Sequence, residues 1–183
     1  MSTADVLLAM RGDHDAFAAL VSAASDRLYA LACLILRDAD RAEDATQEAF
    51  VRAWRELPRL RDPERFEAWL RRLVVNACYD EGRRLRRRAE VSLLHLDQRS
   101  VLDATSAFAE TDRVDRAFRR LPLDQRVVLA LQHYYDLSHA EIAETLGVPL
   151  GTVKSRLRYG VAAMRAALDA DDRPSIVEVG RPA

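Results

Sequence analysis

The segment Ser138 to Pro149 constrains this chain more tightly than any other stretch. Ser138 and Glu141 form the pattern in which a serine side chain caps a helix and a glutamate three residues on returns to the serine amide, so a helix starts at His139. Ile142, Ala143 and Leu146 supply its buried face, Gly147 permits a sharp turn, and Val148 plugs the corner. Pro149 can open the following helix with a pre-set φ angle. Two helices joined by so short a turn make a helix-turn-helix. Ala143 is the small residue that lets them cross closely, and Val153, Leu157, Val161 and Met164 form the apolar side of the second helix. Its other side presents Thr152, Lys154, Ser155, Arg156, Arg158 and Tyr159, donors gathered at the helix start, where such helices meet base edges and phosphates.

Helical spacing also dominates the first half. From a cap at Asp13, the residues Phe17, Leu20, Val21, Ala24, Leu28, Leu31, Ala32 and Ile35 form one stripe. A second helix over about 39–57 buries Ala42, Ala45, Ala49, Phe50, Ala53, Trp54 and Leu57, and Pro58 ends it. Its far side aligns Asp44, Gln47, Glu48 and Val51 at i, i+3, i+4, i+7 as one mixed ridge. After a Pro-bounded loop over 58–65, a third helix starting near Glu64 carries Phe66, Trp69, Leu70, Leu73, Val74, Ala77 and Cys78 as its core stripe. Gly82 within this pattern costs about 1 kcal/mol relative to Ala and predicts a kink or a local end.

Periodicity fades over 89–111, which is rich in Ser, Ala, Asp and Thr, and resumes with Val114, Ala117, Phe118 and Leu121. It stops at Pro122 and restarts through Val127, Val128, Leu131 and Tyr135. The expectation is an all-α protein of two small helical domains, 1–88 and 112–168, joined by a linker over 89–111 and followed by a frayed or disordered tail over 169–183. At 183 residues the chain accommodates two small cores.

The net charge of −1 excludes a generic basic DNA-coating protein, so the distribution matters. Residues 58–88 hold 10 Arg against 5 acids and residues 112–168 hold 9 basic against 6 acidic residues, while 89–111 sets one Arg against four acids. Two basic blocks thus flank an acidic spacer, which could shield them in the free protein. No Gly-rich phosphate loop, HExxH, GxSxG or metal-spaced His/Cys set occurs, so neither enzyme chemistry nor a cofactor is expected. Cys33 and Cys78 read as packed, reduced thiols. The longest apolar run, Tyr29 to Leu36, falls short of the ~20 residues of a membrane span, and no basic leader precedes an apolar segment, which predicts a cytoplasmic protein without membrane insertion.

The polar face of the third helix stacks Arg72, Asn76, Tyr79 and Arg83 and runs on into Arg84, Arg86, Arg87 and Arg88. An amide for a base edge, a ring for stacking and cations for the backbone are what a protein needs to hold separated strands. A solvated arginine face with Tyr79 packed along it is the competing reading on these residues alone.

Several segments resemble one known family. Ala42-Glu43-Asp44-Ala45-Thr46-Gln47-Glu48-Ala49-Phe50-Val51-Arg52-Ala53-Trp54 is similar to the AEDxxQExFxxAW signature of extracytoplasmic-function (ECF) sigma factors, and Phe66 to Leu70 with Val75-Asn76 is similar to their FxxWLxxIxxN segment. Leu121-Pro122, Leu137-Ser138, Glu141-Ile142-Ala143, Leu146-Gly147 and Gly151 to Leu157 resemble their last domain in order and spacing. The resemblance implies a first domain that binds the RNA polymerase core through Asp44, Gln47, Glu48 and Val51 and melts the −10 element. Leu60, Arg61, Arg72, Asn76, Tyr79 and Arg83 would then hold the opened strand. It also implies a second domain that reads the −35 element of promoter DNA through Thr152, Lys154, Ser155, Arg156, Arg158 and Tyr159. Leu60 stands where relatives often carry an aromatic, and Gln132-His133 replaces a common Arg-Tyr pair. An anti-sigma protein is a further candidate partner. A stand-alone helix-turn-helix regulator with an N-terminal sensing or dimerisation domain is the alternative, and it would bind operator DNA without polymerase.

Overall fold

The computed structural model describes the backbone of residues 2–93 and 109–171 and the side chains of 2–88 and 113–170. Among the described residues there are eight α-helices and no strand. The first unit comprises α1 (Thr3–Met10), α2 (His14–Leu36), α3 (Ala39–Glu56), two 3-10 turns at Leu57–Arg59 and Pro63–Arg65, and α4 (Phe66–Leu93). The second comprises α5 (Ala109–Arg119), α6 (Leu123–His133), α7 (His139–Leu146) and α8 (Leu150–Asp171).

Short polar side chains set the helix starts. Asp13 Oδ1 accepts from the Ala16 amide at 2.9 Å and Asp38 Oδ1 from the Arg41 amide at 3.1 Å, each satisfying an amide that the first turn leaves without a partner. Between them Arg37, at φ 61°, ends α2 in a left-handed turn. Against the long stripe of α2, α3 presents a face of small residues, Ala42, Ala45, Thr46, Ala49 and Ala53, all buried, so the two helices approach closely. Phe66, Leu70, Val74 and Cys78 of α4 close the core from the third side, and burial pushes the Cys78 thiol up to about 12. Trp54 packs at the edge, stacked on His14 at 4.5 Å. By length and composition α2 could cross a bilayer, but its apolar side, Leu20, Leu28, Leu31 and Ile35, is spent on this core.

Four expectations need correction. An additional helix, α1, precedes Asp13 and buries Val6 and Ala9. Gly82 does not end α4, which continues to Leu93. The glycine instead marks a close approach, since a Cβ there would lie 2.5 Å from Leu123 Cδ2 of the second unit. The third helix begins at Phe66, with the 3-10 turn taking up Pro63–Arg65. The last helix runs to Asp171, beyond the expected start of the tail. The acidic spacer proper and the tail beyond 171 lie outside the described residues.

The two units share one continuous apolar core. Tyr135, just beyond the end of α6, is buried between the guanidinium groups of Arg27 and Arg71, which lie 4.2 and 4.9 Å from its ring centroid. Burial pushes its hydroxyl up to about 12. Arg37 pairs with Asp115, and Arg65 reaches Glu144 of α7 at 2.7 Å.

Candidate nucleic-acid and polymerase interfaces

The helix-turn-helix forms as its capping pattern dictates. The Ser138 amide donates to Glu141 Oε2 at 2.8 Å, and the Glu141 amide donates to Ser138 Oγ at 3.3 Å. The Ser138 hydroxyl, donating to Glu141 Oε2 at 2.6 Å, and then the Ser138 amide hold the Glu141 carboxyl below its ordinary pKa. Gly147, at φ 64°, turns the chain, and the Val148 amide donates back to the Ala143 carbonyl at 3.1 Å. Pro149 stands one residue before α8, its carbonyl accepting from Thr152 at 2.9 Å.

On α8 the six candidate residues divide in two. Lys154, Arg158 and Tyr159 are exposed, Tyr159 at 57%, and Arg158 lies over the Tyr159 ring at 4.8 Å while donating to its hydroxyl at 3.1 Å. Thr152, Ser155 and Arg156 are half-buried. Ser155 Oγ donates to the Thr152 carbonyl at 2.9 Å, and Arg156 pairs with Asp124 of α6 at 2.9 Å.

Across from Arg156 lies α4. Asn76 and Tyr79 open onto a crevice of about 480 Å³ that also takes in Arg83, Leu146 and Arg156. The Tyr79 hydroxyl is buried without a hydrogen-bond partner. Burial raises its pKa, and the Arg156 guanidinium opposes the shift. Arg83 is turned to Asp80. Leu60, Arg61 and Arg72 sit apart, around a second opening beside the Pro63–Arg65 turn. The candidates for holding a strand therefore fall in two neighbouring places, and the first of them faces α8.

Asp44, Gln47 and Val51 are exposed on α3, with Val51 at 50%. Glu48 is half-buried, held by Arg52 at 2.5 Å and by Arg84 at 3.2 Å, and Arg52 bridges on to Asp80 at 3.1 Å. Glu48, within the ridge, is thus tied to α4, while Asp44, Gln47 and Val51 stand exposed on either side of it.

Sequence reasoning missed Asp124, Arg27 and Arg71, and read Tyr135 only as part of an apolar stripe. For Arg71 there was a signal. It shares i, i+4, i+7 spacing with Val75 and Cys78, both fully buried, which aligns a cation with core residues.

Two helical units, one ending in a helix-turn-helix and the other carrying an arginine-flanked amide and ring, define a bacterial sigma-70-type initiation protein. Residues 20–88 match Sigma-70 region 2 and residues 111–164 match Sigma-70, region 4. The chain is 32% identical over 171 residues to the ECF RNA polymerase sigma factor SigW of Bacillus subtilis, covering 86% of this chain and 91% of that relative. It is 37% identical over 156 residues to SigM of Mycobacterium tuberculosis, covering 85% and 79%. Its fold is similar to that of CnrH in complex with the cytosolic domain of CnrY, with a TM-score of 0.67, 29% identity and coverage of 92% and 97%. The sigma factor RpoE in complex with the anti-sigma factor NepR from Bartonella quintana is also similar in fold, with a TM-score of 0.67, 23% identity and coverage of 86% and 98%. The chain belongs to the ECF RNA polymerase sigma factors.

Proposed function

We propose that this chain directs RNA polymerase core to promoters by dividing the work among three surfaces and performs no chemistry itself. The α3 ridge, exposed Asp44, Gln47 and Val51 with the anchored Glu48 among them, binds the polymerase core. Asn76 and Tyr79, with Leu60, Arg61, Arg72 and Arg83 around them, hold the opened −10 strand. Lys154, Arg158 and Tyr159 meet the −35 element directly, with Thr152, Ser155 and Arg156 beside them. We assign 1–88 to the first domain, 89–111 to the linker and 112–168 to the second domain, and place the protein in the cytoplasm with its polymerase. An anti-sigma protein is the further partner we infer, since both of these similar folds are complexes with protein partners, one of them an anti-sigma factor.

The observation that carries this reading is the pairing of a capped helix-turn-helix, whose second helix exposes Lys154, Arg158 and Tyr159, with the Asn76 and Tyr79 face of α4 in one chain. A regulator that works alone needs the first feature and has no use for the second. In the closed arrangement, Tyr79 and Arg156 face each other across one crevice, so double-stranded and opened DNA cannot occupy both sets at once. Promoter engagement therefore requires the two domains to separate. Gel shift of promoter DNA with and without core polymerase tests the reading. Retardation that depends on core supports it, and equal retardation by the chain alone contradicts it.

A further inference from the structure

Three cations stand near the start of α8, and one of them is tied to another helix. Lys154 is exposed and has no ion-pair partner among the described residues, while Arg158 rests on the ring of its neighbour Tyr159. Arg156 instead reaches across to α6, where its guanidinium pairs with Asp124 at 2.9 Å.

This ion pair joins α6 to α8 within the second domain, so it persists when the domains separate and the Tyr79 face of α4 is withdrawn. Asp80, the other carboxylate on the crevice, leaves with α4 and is already held by Arg52 at 3.1 Å and by Arg83. Asp124 is then the carboxylate that Arg156 keeps. A negative charge beside a helix that meets DNA opposes the phosphates and so lowers affinity for any sequence. Asp124 is also 44% exposed, and a pair so open to water adds little to the stability of the fold. Neither general affinity nor stability accounts for the pairing. What it supplies is direction. A free arginine side chain loses much rotamer freedom when it docks, whereas a guanidinium with one edge already held keeps its other donors aimed. In the major groove, the acceptors that fit such a fork are O6 and N7 of guanine.

We propose that Asp124 is a positioning residue for −35 recognition, orienting Arg156 so that its guanidinium reads a guanine. The inference rests on the assignment of α8 to the −35 element and deepens it, giving a role to a residue of α6 that itself meets no base.

Holoenzyme assembled from core polymerase and the full-length chain is tested by competition binding on a promoter taken from a mapped start site. The competitors are duplexes with each −35 base pair replaced in turn and a duplex lacking the element. Asp124→Asn should cut discrimination about fivefold or more at one G·C pair, the same pair at which Arg156→Ala does so. Its binding to the duplex lacking the element should be unchanged or stronger, which loss of a merely structural residue would not produce. Asp124→Glu keeps the charge and should retain most of the preference. Asp124 lies in the first turn of α6, so should Asn unsettle that turn, Asp124→Ser, a residue suited to helix starts, carries the same comparison. If Arg156→Ala relaxes one pair while the Asp124 variants leave every preference intact, the proposal alone is overturned. Uniform weakening on all duplexes, with and without the element, also overturns it and marks Asp124 as a residue of the fold. If Arg156→Ala itself relaxes no pair, the assignment of Arg156 to the −35 element fails first, and the proposal with it.

Discussion

Lys154 and Arg156 sit two residues apart on α8 and have unlike surroundings. Lys154 is exposed, whereas Arg156 is held by Asp124 and faces Tyr79. Both substitutions to Ala should weaken promoter binding by holoenzyme, roughly tenfold or more for a lost base contact, while polymerase association is unchanged. Filter binding and core pull-down on the same variants check this, and parallel loss in both assays contradicts the assignment. Asp44→Arg reverses a charge on the free part of the α3 ridge, so core affinity should fall first, with the isolated chain as stable as before. An unaltered pull-down excludes that ridge as the polymerase contact.

Among the elements, α7 shows how much rests on local chemistry. Its eight residues are too few to hold a helix by hydrogen bonding alone, so the Ser138–Glu141 box and the Gly147 turn fix its ends. Because the folded Glu141 carboxyl lies below its unfolded pKa, its contribution is present above the unfolded value and is lost as pH falls through the folded one. Glu141→Gln should therefore be less stable near neutrality, and thermal melts of the two proteins should converge as pH falls through the carboxylate range. Gly147→Val should cost about 1–2 kcal/mol, because a β-branched residue resists the left-handed conformation. The same local signals made α2, α3, α4, α7 and α8 legible in sequence, since caps and stripes lie within a few residues of one another. The first helix was not legible, because Leu7 and Leu8 are exposed beside buried Val6 and Ala9, which erases the contrast that periodicity needs. The interdomain contacts of Gly82 and Tyr135 were missed for another reason. Their partners, Leu123 for the one and Arg27 with Arg71 for the other, come from the other domain, and local spacing carries no record of a contact so distant in sequence.

At the scale of the whole molecule, Tyr135 between two arginines and Leu123 against Gly82 keep the domains closed. Tyr135→Ala should loosen this contact and enlarge the radius of gyration seen by small-angle X-ray scattering, while helical content is kept. An unchanged profile would mean that the apolar core alone joins the domains. Arginine-rich surfaces on both domains also imply counterion release, so holoenzyme binding should weaken with salt at a log–log slope of about 0.9 per phosphate contact. A flat response contradicts the phosphate contacts. The most direct measurement is run-off transcription on genomic DNA by core polymerase stripped of its specificity subunit, with start sites mapped. Addition of this chain should produce a defined set of starts that is lost when Asn76 and Lys154 are both replaced by Ala, and transcription no more selective than that of core alone would contradict the account.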